Sequence, residues 1–171
     1  MESRIEGEVS EKAIIEGKVV IGEGAKIMEN AVIKGPAYIG KGAVIGTGAL
    51  VRESSIEAGA VVGFSSEVAR SIVSSNSKLH HNYVGDSVIG KEVYMGYGAV
   101  TANRRIDNKP VRAMVKGKLV EAGRKFGCAI GRGTKVGVNA MIMPGVLIGR
   151  NVLVYPGALV KRNVEDGGVA K

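Results

Sequence analysis

Tryptophan and glutamine are missing from this 171-residue sequence, and phenylalanine occurs only twice. A core without large rings must be assembled from small and branched side chains, and valine and isoleucine supply most of the apolar content. The single cysteine, Cys128, excludes an intrachain disulfide and fits a reducing compartment, where a lone thiol serves as a small apolar side chain. The sequence contains no run of about 18 apolar residues, and no charged-then-apolar leader pattern opens it. A cytoplasmic protein that does not engage a membrane is expected. With only two histidines, His80 and His81, and no cysteine cluster, the sequence has too few ligands for a catalytic zinc site, so no metal is expected.

Glycine, by contrast, occurs 26 times, and it punctuates a repeat. Isoleucine or valine recurs every sixth residue at Ile15, Ile21, Ile27, Ile33, Ile39, Ile45 and Val51. Small residues follow four positions later, at Ala25, Ala31, Ala37, Ala43 and Ala49. The same spacing returns at Ile56, Val62 and Val68, at Ile89 and Met95, and from Ile130 to Val160. Neither a helix nor a simple strand has this period. Short strands joined by tight turns, stacked so that like lies over like, do have it, which makes the expected fold an all-β parallel β-helix. One domain spanning residues 1–171 is expected, with the polar segments at its two ends, including Arg4, Glu6, Glu8, Lys161 and Arg162, shielding the open edges.

The spacing slips between Val51 and Ile56, loosens from Arg70 to Val84, and vanishes from Ala102 to about Cys128. Long unpatterned loops in compact domains are usually functional or disordered. Of the formal net charge of +8, the last interruption holds +6, through Arg104, Arg105, Lys109, Arg112, Lys116, Lys118, Arg124 and Lys125 against Asp107 and Glu121. It reads as an extruded basic loop with one short strand around Val111 to Val115. A solvated loop without function is the bland alternative. Nucleic-acid binding is disfavoured, because Phe126 is its only aromatic residue, whereas single-strand binders interleave stacking rings with their cations.

The loosened stretch contains His80-His81-Asn82-Tyr83-Val84-Gly85-Asp86. Imidazole is the side chain whose unperturbed charge change falls near neutrality, and a tyrosine follows three residues on. The pairing suits a general base acting on an anionic substrate, with His80 removing a proton from an attacking amine. Backbone N–H groups of Gly96-Tyr97-Gly98 are candidates to hold the substrate or an oxyanion. A hydrogen-bonded structural histidine is the competing reading of His80.

Together with Met95-Gly96-Tyr97-Gly98-Ala99-Val100-Thr101-Ala102-Asn103 and Asn108-Lys109, this segment resembles a family of enzymes. The family is the acetyltransferase half of the bifunctional sugar-1-phosphate uridylyltransferase and hexosamine-1-phosphate acetyltransferase, above all its archaeal members. The six-residue repeat is generic to hexapeptide-repeat acyltransferases. The resemblance implies a left-handed β-helix, a homotrimer with sites between neighbouring columns, and direct acetyl transfer from acetyl-CoA to the amine of glucosamine 1-phosphate or galactosamine 1-phosphate. It makes His80 the base. Tyr83, Asn103, Lys109, Arg52, Arg70 and Arg112 become substrate-binding residues, and Tyr97, Gly98, Val138 and Tyr155 become coenzyme contacts. Tyr94, Tyr97 and Arg104 depart from the bacterial pattern. A β-helix that trimerises or regulates a nucleotidyltransferase without catalysis is the alternative function.

Overall fold

The computed structural model describes residues 3–171, and its regular structure is entirely strand. The chain winds as a left-handed parallel β-helix of about 9 turns. Each turn lays a strand of two or three residues on each of three sheets, which hold eight, nine and eight strands. Consecutive strands therefore never pair within the coil. Val19–Ile21 pairs instead with Ala37–Ile39, and Val32–Lys34 with Leu50–Arg52, each one turn further along.

This winding explains the six-residue ruler. The branched residue of each face points inward, so Ile21, Ile33, Ile39 and Ile45 are fully buried, each contributing roughly 1.5–3 kcal/mol of gross stabilisation. Ala25, Ala31, Ala43 and Ala49 are equally buried, at corners where the narrowing interior admits little more than a methyl group. Asn30, Asn76, Asn139 and Asn151 take the positive φ that corners demand and that asparagine tolerates better than most residues. The polar end segments are parts of the ladders, with Arg4–Ile5 pairing Val19–Ile21 and Val169–Ala170 pairing Leu153–Val154 as the outermost strands of their sheets.

The stretch from Arg70 to Val84, where the spacing loosens, stays in full register. Ile56 pairs with Val73, Val62 with Leu79 and Val68 with Val84. What changes is that corners lose a residue, and hydroxyl groups take over the missing backbone bonds. Ser54, Ser71 and Ser87 occupy one corner in successive turns, each donating to the carbonyl two residues earlier, at 2.7–2.8 Å. Each also accepts the N–H of the turn above, Ser71 on Ser54, Ser87 on Ser71 and Cys128 on Ser87. Cys128 itself is fully buried, which pushes its thiol up to about 12.

At this same corner the basic loop departs after Thr101 and returns at Cys128. The single strand expected near Val111 is half of a hairpin, Arg112–Val115 against Lys118–Glu121. Lys116 and Gly117 both have positive φ, which is the tight two-residue turn that matches strand twist. The hairpin is docked rather than free. Val111 is fully buried, and Asn163 Nδ2 donates to the Met114 carbonyl at 2.8 Å.

Candidate active site

His80 sits at the corner between Lys78–Leu79 and Tyr83–Gly85. That corner is also shortened, and buried Asn82 makes up the loss. Its Oδ1 accepts the His80 N–H at 2.7 Å, while Nδ2 donates to the carbonyls of Gly96 and Ala99 at 2.8 and 2.9 Å. The His80 backbone is thus fixed while its side chain is exposed. The ring meets Tyr94 edge-on at 5.1 Å between centroids and makes no hydrogen bond among the described residues. His81 is different. Its Nδ1 lies 3.0 Å from the Phe64 carbonyl, which only accepts, so Nδ1 carries the proton. Its ring stacks on Tyr97 at 4.9 Å and faces Phe64 at 6.1 Å. A cleft of about 280 Å³ opens here, lined by Val61, Phe64, Lys78, His80, His81 and Tyr97.

At the far end of Tyr83–Gly85 lies a second polar cluster. Tyr83 and Gly85 share a face, and the missing side chain of Gly85 leaves room for the tyrosine to fold over it. A Cβ there would stand 2.6 Å from the Tyr83 hydroxyl and 2.7 Å from Asn103 Nδ2. Asn103 donates to the Tyr83 oxygen at 3.1 Å and to Asp86 Oδ2. Asp86 in turn receives Arg70 through both oxygens, Nε to Oδ1 at 2.6 Å and Nη2 to Oδ2 at 2.8 Å. Burial works to raise the Asp86 carboxyl, but the bonds from Arg70 and Asn103 outweigh it and hold the group below the usual carboxylate value. One turn below, Arg52 is paired with Glu67 at 2.7 Å.

Of the residues expected at a site, the chain therefore brings Tyr83, Asn103 and Arg70 into one network, with Arg52 close by in its own pair. His80 stands apart, before the other end of the strand. Both arginines have donors committed to carboxylates, and neither Asp86 nor Glu67 was anticipated, although Asp86 closes the histidine motif. Lys109 and Arg112 lie on the loop. Lys109 is exposed, with its backbone N–H on the Asp107 carboxylate at 3.2 Å, and Arg112 begins the docked hairpin beside Pro144 and Gly145. Gly96 and Gly98 do not offer free N–H groups to an oxyanion, because coil hydrogen bonds to Val136 and His81 carbonyls consume them at 2.8 and 3.0 Å. Tyr97 and Val138, in contrast, line up with His81 along one corner, linked by Gly98 to His81, Asn139 to Tyr97 and Gly157 to Val138. Tyr155 adjoins that ridge, with the Lys171 ammonium 5.4 Å from its ring centre.

Residues 15–119 match the family model described as the GMPPB C-terminal domain, more than half of the chain and inclusive of both clusters. The chain belongs to that family. Residues 127–162 match the bacterial transferase hexapeptide model of six repeats, and the gap between the two matches falls in the loop. The bifunctional protein GlmU of Methanococcus aeolicus is 49% identical over 144 residues, 83% of this chain and 35% of that protein. The bifunctional sugar-1-phosphate nucleotidylyltransferase/acetyltransferase of Sulfurisphaera tokodaii is 46% identical over 143 residues, 82% of this chain and 36% of that protein. The chain thus spans about a third of the length of the curated relatives it matches. The crystal structure of the Arabidopsis UDP-N-acetylglucosamine acyltransferase superposes with a TM-score of 0.52 at 14% identity, covering 95% of this chain and 68% of that one. At that identity the likeness speaks for the fold. The expected resemblance to the archaeal bifunctional proteins is therefore borne out, and the matched segments contain every residue singled out as a site candidate.

Proposed function

We propose that this chain transfers an acetyl group from acetyl-CoA to the amine of a hexosamine 1-phosphate, glucosamine 1-phosphate or galactosamine 1-phosphate. The amine nitrogen attacks the thioester carbonyl, the carbon–sulfur bond breaks, and His80 takes the proton from nitrogen and passes it to the departing thiolate. No covalent enzyme intermediate is needed. The observation that carries this reading is an exposed His80 ring, without a hydrogen bond among the described residues, before one end of the strand Tyr83–Gly85, with Tyr83 held over Gly85 at its other end by Asn103 from the next turn. Exposed Lys109 and Arg112 supply cations for the phosphate, and the corner ridge of Tyr97, Gly98, Val138 and Tyr155 supplies a path for the coenzyme. The name of the Sulfurisphaera tokodaii relative, a bifunctional nucleotidylyltransferase/acetyltransferase, points the same way.

The working unit is a homotrimer. The outward column of one sheet runs Val32, Leu50, Glu67, Tyr83, Val100, Met141 and Leu159, apolar except at Glu67 and Tyr83, and that of another runs Val20, Tyr38, Ser55, Ile72, Val88, Ala129 and Leu147. Such faces are suited to packing coil against coil. Among the described residues no helix is long and apolar enough to cross a membrane.

A thiol-release assay with acetyl-CoA and each sugar phosphate tests the proposal. His80→Ala is expected to lower turnover by roughly a hundredfold or more with the melting temperature unchanged. Full activity in that variant would remove His80 from the mechanism. The pairing of Arg52 with Glu67 and Arg70 with Asp86 favours a second reading, a non-catalytic β-helix that trimerises or regulates a nucleotidyltransferase. Calorimetric titration with coenzyme A separates the two, since a scaffold has no reason to bind it.

A further inference from the structure

Asp86 occupies an unusual place for a carboxylate, next to the residues assigned above to an anionic acceptor. Its backbone is pinned on both sides, its N–H on the Ala69 carbonyl and its own carbonyl receiving Gly127 N–H, both at 2.9 Å. The first bond ties it to the turn below and the second to the root of the loop. Its φ of 49° aims the side chain across the corner, and that side chain is only 13% exposed. Arg70 neutralises it with a two-pronged contact. No lone pair on the carboxylate is needed for an acceptor, and no net charge is left to repel one.

What the carboxylate does is choose the orientation of Asn103. An ionised carboxylate only accepts, so the Asn103 NH₂ must face it, and the same NH₂ also serves the Tyr83 oxygen. With both amide hydrogens spent, the Asn103 carbonyl oxygen is the atom left for a ligand. Because the Tyr83 oxygen is accepting, its own proton is left to donate. An acceptor and a donor side by side are the complement of a sugar hydroxyl, which both donates and accepts.

We propose that Asp86 is a positioning residue that acts through Asn103, setting the hydrogen-bond polarity with which the Tyr83–Asn103 pair reads a hydroxyl of the sugar acceptor. The inference rests on the acetyl-transfer reading above. The neutral amide introduced by Asp86→Asn can donate as well as accept, and it frees the Asn103 amide to turn over.

The test is a double-mutant cycle between Asp86→Asn and Asn103→Ala, with KM measured separately for hexosamine 1-phosphate and acetyl-CoA. Asp86→Asn is expected to raise the acceptor KM about tenfold and leave the acetyl-CoA KM within about twofold, while adding less than about twofold in the Asn103→Ala background. Additive losses, a parallel rise in both KM values, or an unchanged acceptor KM would overturn the proposal. A second readout needs no turnover: hydrogen exchange of the Asn103 side-chain amide followed by NMR. Protection in the wild type that is lost in Asp86→Asn supports the assignment, and equal exchange in both refutes it. If the wild type acetylates no hexosamine 1-phosphate, the acetyl-transfer reading fails and the exchange measurement alone judges Asp86. Should Asp86→Asn fail to fold, Asp86→Glu, which keeps the charge but displaces it by a methylene, carries the same two measurements.

Discussion

Asp86 holds Arg70 through two parallel hydrogen bonds of 2.6 and 2.8 Å, with the aspartate carboxylate 13% and the arginine 28% exposed. The pair bridges two successive turns of the coil at the corner where the basic loop later departs. Its stability contribution depends on pH with a definite sign. The folded carboxyl lies below its ordinary value of 3.8, so the folded state binds its proton less readily than the unfolded chain. The contribution is therefore complete above that value and is lost as pH falls below it. Melting temperatures of wild type and Asp86→Asn should differ near neutrality and converge as the pH falls below 3.8. A gap that stayed constant across that range would show that the carboxylate is not titrating as the pair requires.

Gly85 is the space beneath the Tyr83 ring, and its φ is not in the left-handed region, so alanine is strained there only by contact. Gly85→Ala should displace the Tyr83 hydroxyl and Asn103 amide by a few tenths of an ångström or more while the coil stays folded. Acetyl transfer is expected to fall by about tenfold or more, since catalytic positioning tolerates little displacement. Wild-type kinetics in this variant would place the acceptor elsewhere.

Asn82 anchors three backbone groups at the shortened corner below His80. Asn82→Ala removes this partner from the His80 N–H and the Ala99 carbonyl, while the Gly96 carbonyl keeps the Ala99 N–H at 3.2 Å, and a loss of roughly 1–3 kcal/mol in unfolding free energy is expected. Chemical denaturation measures it directly. A change under about 0.5 kcal/mol would mean that water or a shifted backbone replaces the side chain.

The β-helix itself was written in the sequence at the level of individual residues. A branched side chain at every sixth position has one consistent burial, and the inward set from Ile21 to Val160 is buried as its spacing requires. Even the slips were legible as positions. Their meaning was not, because a corner that drops a residue remains in register only if a hydroxyl or amide two or three residues away replaces the lost backbone bond, as Ser54, Ser71, Ser87 and Asn82 do. The Lys116-Gly117 hairpin turn was missed for a related reason. Its signal is two residues of positive φ, and lysine in that role carries little compositional trace.

The histidine, tyrosine and asparagine of the candidate site were identifiable by type and order along the chain. Tertiary structure alone decided how they are grouped. Stacking by whole turns carries Arg70 and Asp86, sixteen residues apart, to hydrogen-bonding distance. The same stacking leaves His80 at the corner before a strand while the Tyr83 hydroxyl, from only three residues on, reaches that strand's far end over Gly85. Period and inward identity are local properties of a repeating chain, so the sequence carries them; which outward side chains meet depends on how many residues each corner takes, and that is settled only when the turns are laid on one another.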